Sequence, residues 1–115
     1  MSRVKSGATS RARHKKVLSK TKGYKHGRKN VYRQAKQALL KAKSHAYRSK
    51  KIKKRQIRSL WIIRINAACR EHQIKYSQFI SNLDKKGLKY SRKELSDLIQ
   101  KDPKKFEEIL DKVTS

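Results

Sequence analysis

Cys69 and His72 stand three residues apart, which on a helix puts a thiolate and an imidazole on one face, where they could share a metal ion. A structural zinc site needs a full tetrahedral set, and His14, His26 and His45 lie far upstream at no matching spacing. A lone buried cysteine is the expected state. Glu107, Glu108 and Asp111 share one short stretch near the C-terminus, as the solvated face of a helix does. Ser91 opens the run Ser91-Arg92-Lys93-Glu94 with no histidine nearby, which suits a helix cap and not a nucleophile. No glycine loop of the Walker or dinucleotide type occurs. The chain is expected to be no enzyme, to hold no metal or other cofactor and to act on no small-molecule substrate.

The cations carry a stronger signal. Residues 1–58 contain 22 Lys and Arg and no acid, whereas residues 59–115 contain 12 Lys and Arg and all 8 acids, beginning at Glu71. A net charge of +26 demands a polyanionic partner: nucleic acid, an anionic membrane or an acidic protein. Between Val31 and Arg58 there are 11 cationic side chains. As a helix that stretch is about 42 Å long, roughly one cation per 4 Å. A duplex presents a phosphate charge about every 1.7 Å, so such a helix can be lined with phosphates along most of its length. Tyr24, Tyr32, Tyr47 and His26 interleave with these charges. They can stack on unpaired bases or pack the helix itself, and the spacing leaves both open.

These side chains need elements to position them. Met1 to Ser10, with Arg3 and Lys5, has no periodicity and is expected to be an extended tail. Arg11 to Lys22 suits a short helix bearing Arg11, Arg13, His14, Lys15, Lys16 and Lys22, with Val17 and Leu18 as its only large apolar residues. Gly23 and Gly27, around Tyr24 and ahead of Arg28, predict a bend. From Lys29 or Asn30 a helical pattern runs without glycine or proline to about His72, a length on the order of 60 Å. Val31, Ala35, Ala38, Leu39, Ala42, Ala46 and Ile57 form its thin apolar stripe. Arg33, Lys36, Lys41, Arg48, Lys51, Lys54, Arg55 and Arg58 cover much of the rest.

Downstream the apolar spacing thickens. Trp61, Ile65 and Ala68, with Leu60 and Ile57 beside them, mark a helix that packs one side on a core. Tyr76, Phe79, Ile80 and Leu83 recur at helical spacing and Gly87 supplies a stop. Ser91 and Glu94 form a capping box, flanked by Tyr90 and Leu95 at the staple positions. Leu95, Leu98 and Ile99 give that helix its apolar face. Asp102-Pro103 predicts an N-cap followed by an N1 proline, and Phe106, Ile109, Leu110 and Val113 stripe the last helix. The fold class is therefore all-α: a long, bent, basic helical N-terminal arm over residues 1–58, joined to a small C-terminal helical domain over residues 59–115. The arm has too few large apolar residues to fold alone against its own charge.

A single cysteine fits a reducing compartment. No apolar run approaches the roughly 18 residues of a membrane span and no signal-peptide pattern opens the chain. The expectation is a soluble intracellular protein. A membrane-surface helix would want Trp, Phe and Leu on its apolar side, and this stripe offers mostly alanine. A general DNA- or RNA-packaging protein and an RNA-scaffold protein both fit the charge, which does not separate them.

The runs themselves point further. Arg3-Val4-Lys5, Arg13-His14-Lys15-Lys16-Val17-Leu18, Lys22-Gly23-Tyr24 with Gly27, and Tyr32-Arg33 with Ala35-Lys36-Gln37-Ala38 follow in order. Ala46-Tyr47-Arg48, Leu60-Trp61-Ile62, Arg64-Ile65-Asn66-Ala67-Ala68 with Arg70, and Tyr76-Ser77 with Phe79-Ile80 complete the set. In these runs the chain resembles, from end to end, the L-twenty family of large-subunit ribosomal proteins of bacteria and organelles. The resemblance implies a basic arm buried in large-subunit, 23S-type ribosomal RNA and a small helical domain at the RNA surface. It implies an early role in large-subunit assembly, neighbouring large-subunit ribosomal proteins as partners, a place in the cytoplasmic ribosome and no enzymatic activity. Some members also bind their own messenger RNA through the C-terminal domain and repress its translation. The arm cations would contact phosphates, which position without reading sequence, while Arg58, Arg64, Asn66 and Arg70 would add site specificity through RNA shape.

Two positions depart from the family pattern. Ser49 stands where an acid usually follows Tyr-Arg, and Gln56-Ile57 replaces an acid-aromatic pair before Arg58. Both changes remove acid or aromatic character from the arm, so a local ion pair is not expected at those sites. Ser91 stands where Asp or Asn is common, and all three serve as N-caps.

Overall fold

Thr21 and Ala35 are the two fully buried residues of the N-terminal part, and around them the first half of the chain turns. The computed structural model describes residues 2–115; Met1, the first residue of the expected tail, lies outside the described residues. The elements are α1 (Gly7–Lys20), a 3-10 turn (His26–Arg28), α2 (Tyr32–Glu71), α3 (Tyr76–Lys85), α4 (Arg92–Lys101) and α5 (Pro103–Thr114). The all-α class is thus observed, with no strand among the described residues. The chain divides into two compact units, Met1–Lys51 and Ile52–Ser115, the division falling within α2.

In the first unit α1 begins at Gly7, four residues before the expected Arg11, so Gly7 to Ser10 are helix and not tail. The Ser10 amide already donates to the Ser6 carbonyl at 3.0 Å, and Ala8 favours the helix. At the other end Thr21 stops it: the hydroxyl turns back to the Leu18 carbonyl at 3.2 Å, competing with continued backbone bonding. The bend is where the glycines predict it, though they act differently. Gly23 takes φ +89, the left-handed region that favours glycine. Gly27 does not; a Cβ there would meet only the tip of the exposed Gln34 side chain, which can swing aside. The second left-handed residue of the bend is His26, at φ 58.

α2 confirms the uninterrupted pattern over 40 residues. Its expected apolar stripe is covered only in part. Ala35 is buried and Ala38, Leu39 and Ile57 are half-buried, while Val31, Ala42 and Ala46 face solvent. Alanine gives too little apolar area to draw a neighbour down upon it.

The second unit has the four-helix core the spacing predicts. Ile65, Ala68 and Cys69 of α2 meet Phe79 and Leu83 of α3, Leu95 of α4, and Phe106, Ile109, Leu110 and Val113 of α5. Phe79 and Phe106 meet with ring centroids 5.7 Å apart, tilted by 51°. α5 packs on both α3 and α4. Trp61 departs from expectation: it is half-buried outside this cluster, with Leu60 exposed beside it. The core takes α2 only from Ile65 onward.

Helix ends follow the punctuation with one exception. Gly87 takes φ +67, and the Leu88 amide donates to the Leu83 carbonyl at 3.1 Å, placing Leu88 against the core. Ser91 and Glu94 close the capping box. Pro103 heads α5 as expected, but Asp102 makes no side-chain cap. Its own amide closes α4 onto the Leu98 carbonyl at 2.8 Å, leaving φ −146 and ψ 76. From there its carboxylate pairs with Lys105 at 3.3 Å instead of turning to the free amides.

Candidate nucleic-acid interface

Every Lys and Arg from Arg3 to Arg58 is exposed. Among the described residues the one ion pair is Lys105 with Asp102, so none of these cations is neutralised by a carboxylate. Their origin in the sequence explains this: with no acid among the first 58 residues, intramolecular pairing has nothing to work with. Unpaired cations at this density repel one another and attract phosphates.

The elements distribute them. Arg3 and Lys5 lie on the irregular lead-in, and Arg11, Arg13, Lys15 and Lys16 on α1. Lys22 and Arg28 flank the bend. Arg33, Lys36, Lys41, Arg48 and Lys51 follow on the part of α2 within the first unit, and Lys54, Arg55 and Arg58 on the part within the second.

The aromatic residues divide into three situations. His14 and Tyr32 stack on each other, centroids 3.9 Å apart and planes 25° from parallel, so these two rings are engaged within the first unit. Tyr47 is 67% exposed, with the Lys51 ammonium 5.1 Å from its ring centroid. Tyr24 is half-buried and turned toward a cleft of about 650 Å³ on the first unit, beside Arg28 and Lys41. Gln34, Gln37 and His45 line the same cleft over a floor of Ala38 and Ala42. The sequence reading gives Gln34, Gln37 and His45 no part in RNA contact. Their spacing along α2 does place them on one face, but only the bend brings Tyr24 and Arg28 opposite.

In the second unit Arg64 is half-buried and reaches across to α4, donating to Gln100 Oε1 at 3.3 Å and to Ser96 Oγ at 3.5 Å. Asn66 and Arg70 line a hollow of about 440 Å³ with Gln73, Ile74, Lys75 and Tyr76. The Tyr76 hydroxyl is fixed there by the Arg92 Nε donor at 2.9 Å. Gln73 holds φ 61, an uncommon conformation outside glycine, so the backbone is strained at the edge of this hollow.

Cys69 is buried and His72 exposed, and no group of three metal-capable side chains occurs among the described residues. Burial pushes the Cys69 thiol up to about 11, which keeps it protonated and unreactive near neutrality. No helix among the described residues is long and apolar enough to cross a membrane.

The sequence model of the family described as "Ribosomal protein L20" matches residues 3–109. The large ribosomal subunit protein bL20 of Francisella tularensis subsp. novicida (strain U112) is 54% identical over 112 residues, covering 97% of this chain and 95% of that relative. The protein of the same name from Francisella philomiragia subsp. philomiragia gives the same identity and the same coverage, 97% and 95%. That of Francisella tularensis subsp. mediasiatica (strain FSC147) is likewise 54% identical, over 97% of this chain and 93% of its own length.

Proposed function

We infer a function from one premise: this chain belongs to the ribosomal protein L20 family of the large ribosomal subunit. On that premise it is a structural, non-enzymatic constituent of the large subunit that binds 23S-type ribosomal RNA directly and supports early subunit assembly. It works in the cytoplasmic ribosome, with neighbouring large-subunit ribosomal proteins as its protein partners. The observation that carries the RNA reading is the run of exposed cations from Arg3 to Arg58 with no acid among them.

Residues 1–58 serve as the RNA-threading arm and residues 59–115 as the helical domain. The arm runs past the first compact unit because its unpaired cations continue to Arg58. Its Lys and Arg side chains hold phosphates, and Arg58, Arg64, Asn66 and Arg70 add contacts set by RNA shape. The family reading extends to binding of its own messenger through residues 59–115; a translational reporter insensitive to excess protein would remove that part alone.

Ultraviolet crosslinking in cells, followed by sequencing of the attached nucleic acid, tests the main reading. Crosslinks are expected to concentrate in large-subunit ribosomal RNA. A spread over DNA or bulk messenger would instead mark a general packaging protein.

A further inference from the structure

We propose that the cleft between the bend and α2 is a nucleobase subsite, taking one unstacked base from a single-stranded stretch of bound RNA. The proposal rests on the RNA-binding reading and adds to it a contact that the charge alone does not supply.

The cleft is an open groove of about 650 Å³, room enough for one base to lie against the protein. Its groups are those that a base and its flanking phosphates need. Tyr24 is half-buried, and its amide donates to the Thr21 carbonyl at 3.0 Å, which fixes the backbone that carries the ring at the cleft. Ala38 and Ala42 make a low floor on which a planar ring can lie close to the helix. Gln34 and Gln37 each carry an amide with donors and an acceptor, the complement of a base edge. Arg28 and Lys41 stand exposed at the same cleft, unpaired, where the phosphates on either side of an extruded base would lie.

Gly27 is half-buried in the bend beside the tip of the exposed Gln34 side chain, which is free to turn toward a bound base. A site of this kind discriminates strand state: a duplex keeps its bases stacked and offers the cleft nothing but phosphates.

The test uses the full chain and two RNA probes at one salt concentration. One is an unstructured single-stranded oligonucleotide of mixed sequence, the other a blunt, fully paired duplex with the same number of phosphates. Tyr24→Ala removes the stacking ring. Ala42→Leu blocks the floor from an exposed helix position where leucine keeps the helix, so it stands in if Tyr24→Ala disturbs the bend. Each variant should bind the single strand about tenfold more weakly and the duplex within about twofold of the parent. Equal weakening on both probes, or no weakening on the single strand, overturns the subsite while leaving the RNA reading intact. A parent chain that binds neither probe overturns both.

Discussion

His14 lies against Tyr32, the two rings nearly parallel at 3.9 Å, and this stack ties α1 to the first turn of α2. With only Thr21 and Ala35 fully buried nearby, the first unit has little else to hold it. Aromatic pairs contribute about 0.5–1.5 kcal/mol beyond area burial. Tyr32→Ala should therefore speed hydrogen exchange of the α1 amides by about two- to tenfold while leaving α3 to α5 unchanged. Unaltered α1 exchange would show that the stack carries no weight. Binding of RNA should protect the α1 amides strongly in the parent chain, because phosphates then neutralise the repulsion among Arg11, Arg13, Lys15 and Lys16.

Across the start of α4, the Glu94 amide donates to Ser91 Oγ at 3.2 Å and the Ser91 amide donates to the Glu94 carboxylate at 2.7 Å. Ser91→Ala should cost about 1 kcal/mol. For a domain of this size that lowers the melting temperature by roughly 4–8 °C. The Ser91 amide, and after it the Ser91 side chain, holds the Glu94 carboxyl below its ordinary value of 4.5. The unfolded chain therefore takes up the proton first as the solution is acidified. The stabilisation is present above that ordinary value and is lost as pH falls through the lowered one. Glu94→Gln should melt below the parent at neutral pH and converge with it in acid; a constant difference across that range would contradict the assignment.

The domain downstream of Ser59 was legible because its signals are local and redundant. Phe79 and Leu83, Leu95, and Phe106 with Ile109, Leu110 and Val113 all sit at helical spacing beside recognisable caps, and each is buried. The misreadings arise where one residue serves two neighbours. Asp102 ends α4 and begins α5 at once, and the first duty fixes the backbone against the second. Trp61 has the spacing of a core residue, yet the core reaches α2 only at Ile65. The cleft was illegible for a different reason. Gln34, Gln37 and His45 are unremarkable on a helix and acquire meaning only when the bend sets Tyr24 and Arg28 opposite. No spacing rule encodes that juxtaposition.

Gln73 ends α2 at φ 61, its amide bonded back to the Arg70 carbonyl at 3.0 Å, in a conformation that glycine adopts without steric cost. A side chain there costs roughly 1–2 kcal/mol, against a glycine entropy penalty of about 0.5–1 kcal/mol. Gln73→Gly should therefore raise stability by about 0.5–1 kcal/mol in a denaturant titration. A loss of stability would mean that the Gln73 side chain makes contacts worth more than the strain.

Cys69 should be inert to a maleimide in the native chain near neutral pH and react once the chain is unfolded, because burial both shields it and disfavours its thiolate. The unfolded thiol ionises near 9.0 and the folded one near 11, so folding stability should decline as pH rises through that window. Rapid native labelling would contradict the burial. Cys69→Ser should destabilise by about 1–3 kcal/mol unless the new hydroxyl finds an acceptor within the helix.

Lys53, Lys54 and Arg55 form a dense exposed group on α2 with no carboxylate partner. If these side chains hold phosphates, their neutralisation to Gln should lower the salt sensitivity of RNA binding. Each lost contact with paired RNA reduces the slope of log K against log salt by about 0.9, and somewhat less on single strands. Helix content should survive, since glutamine propagates a helix nearly as well as lysine or arginine. Phosphate contacts position and do not discriminate, so affinity should fall by a similar factor on ribosomal and unrelated RNA of equal length. A drop confined to the ribosomal sequence would instead place these cations in sequence or shape recognition, the role assigned above to Arg64, Asn66 and Arg70. An unchanged slope would remove them from the interface.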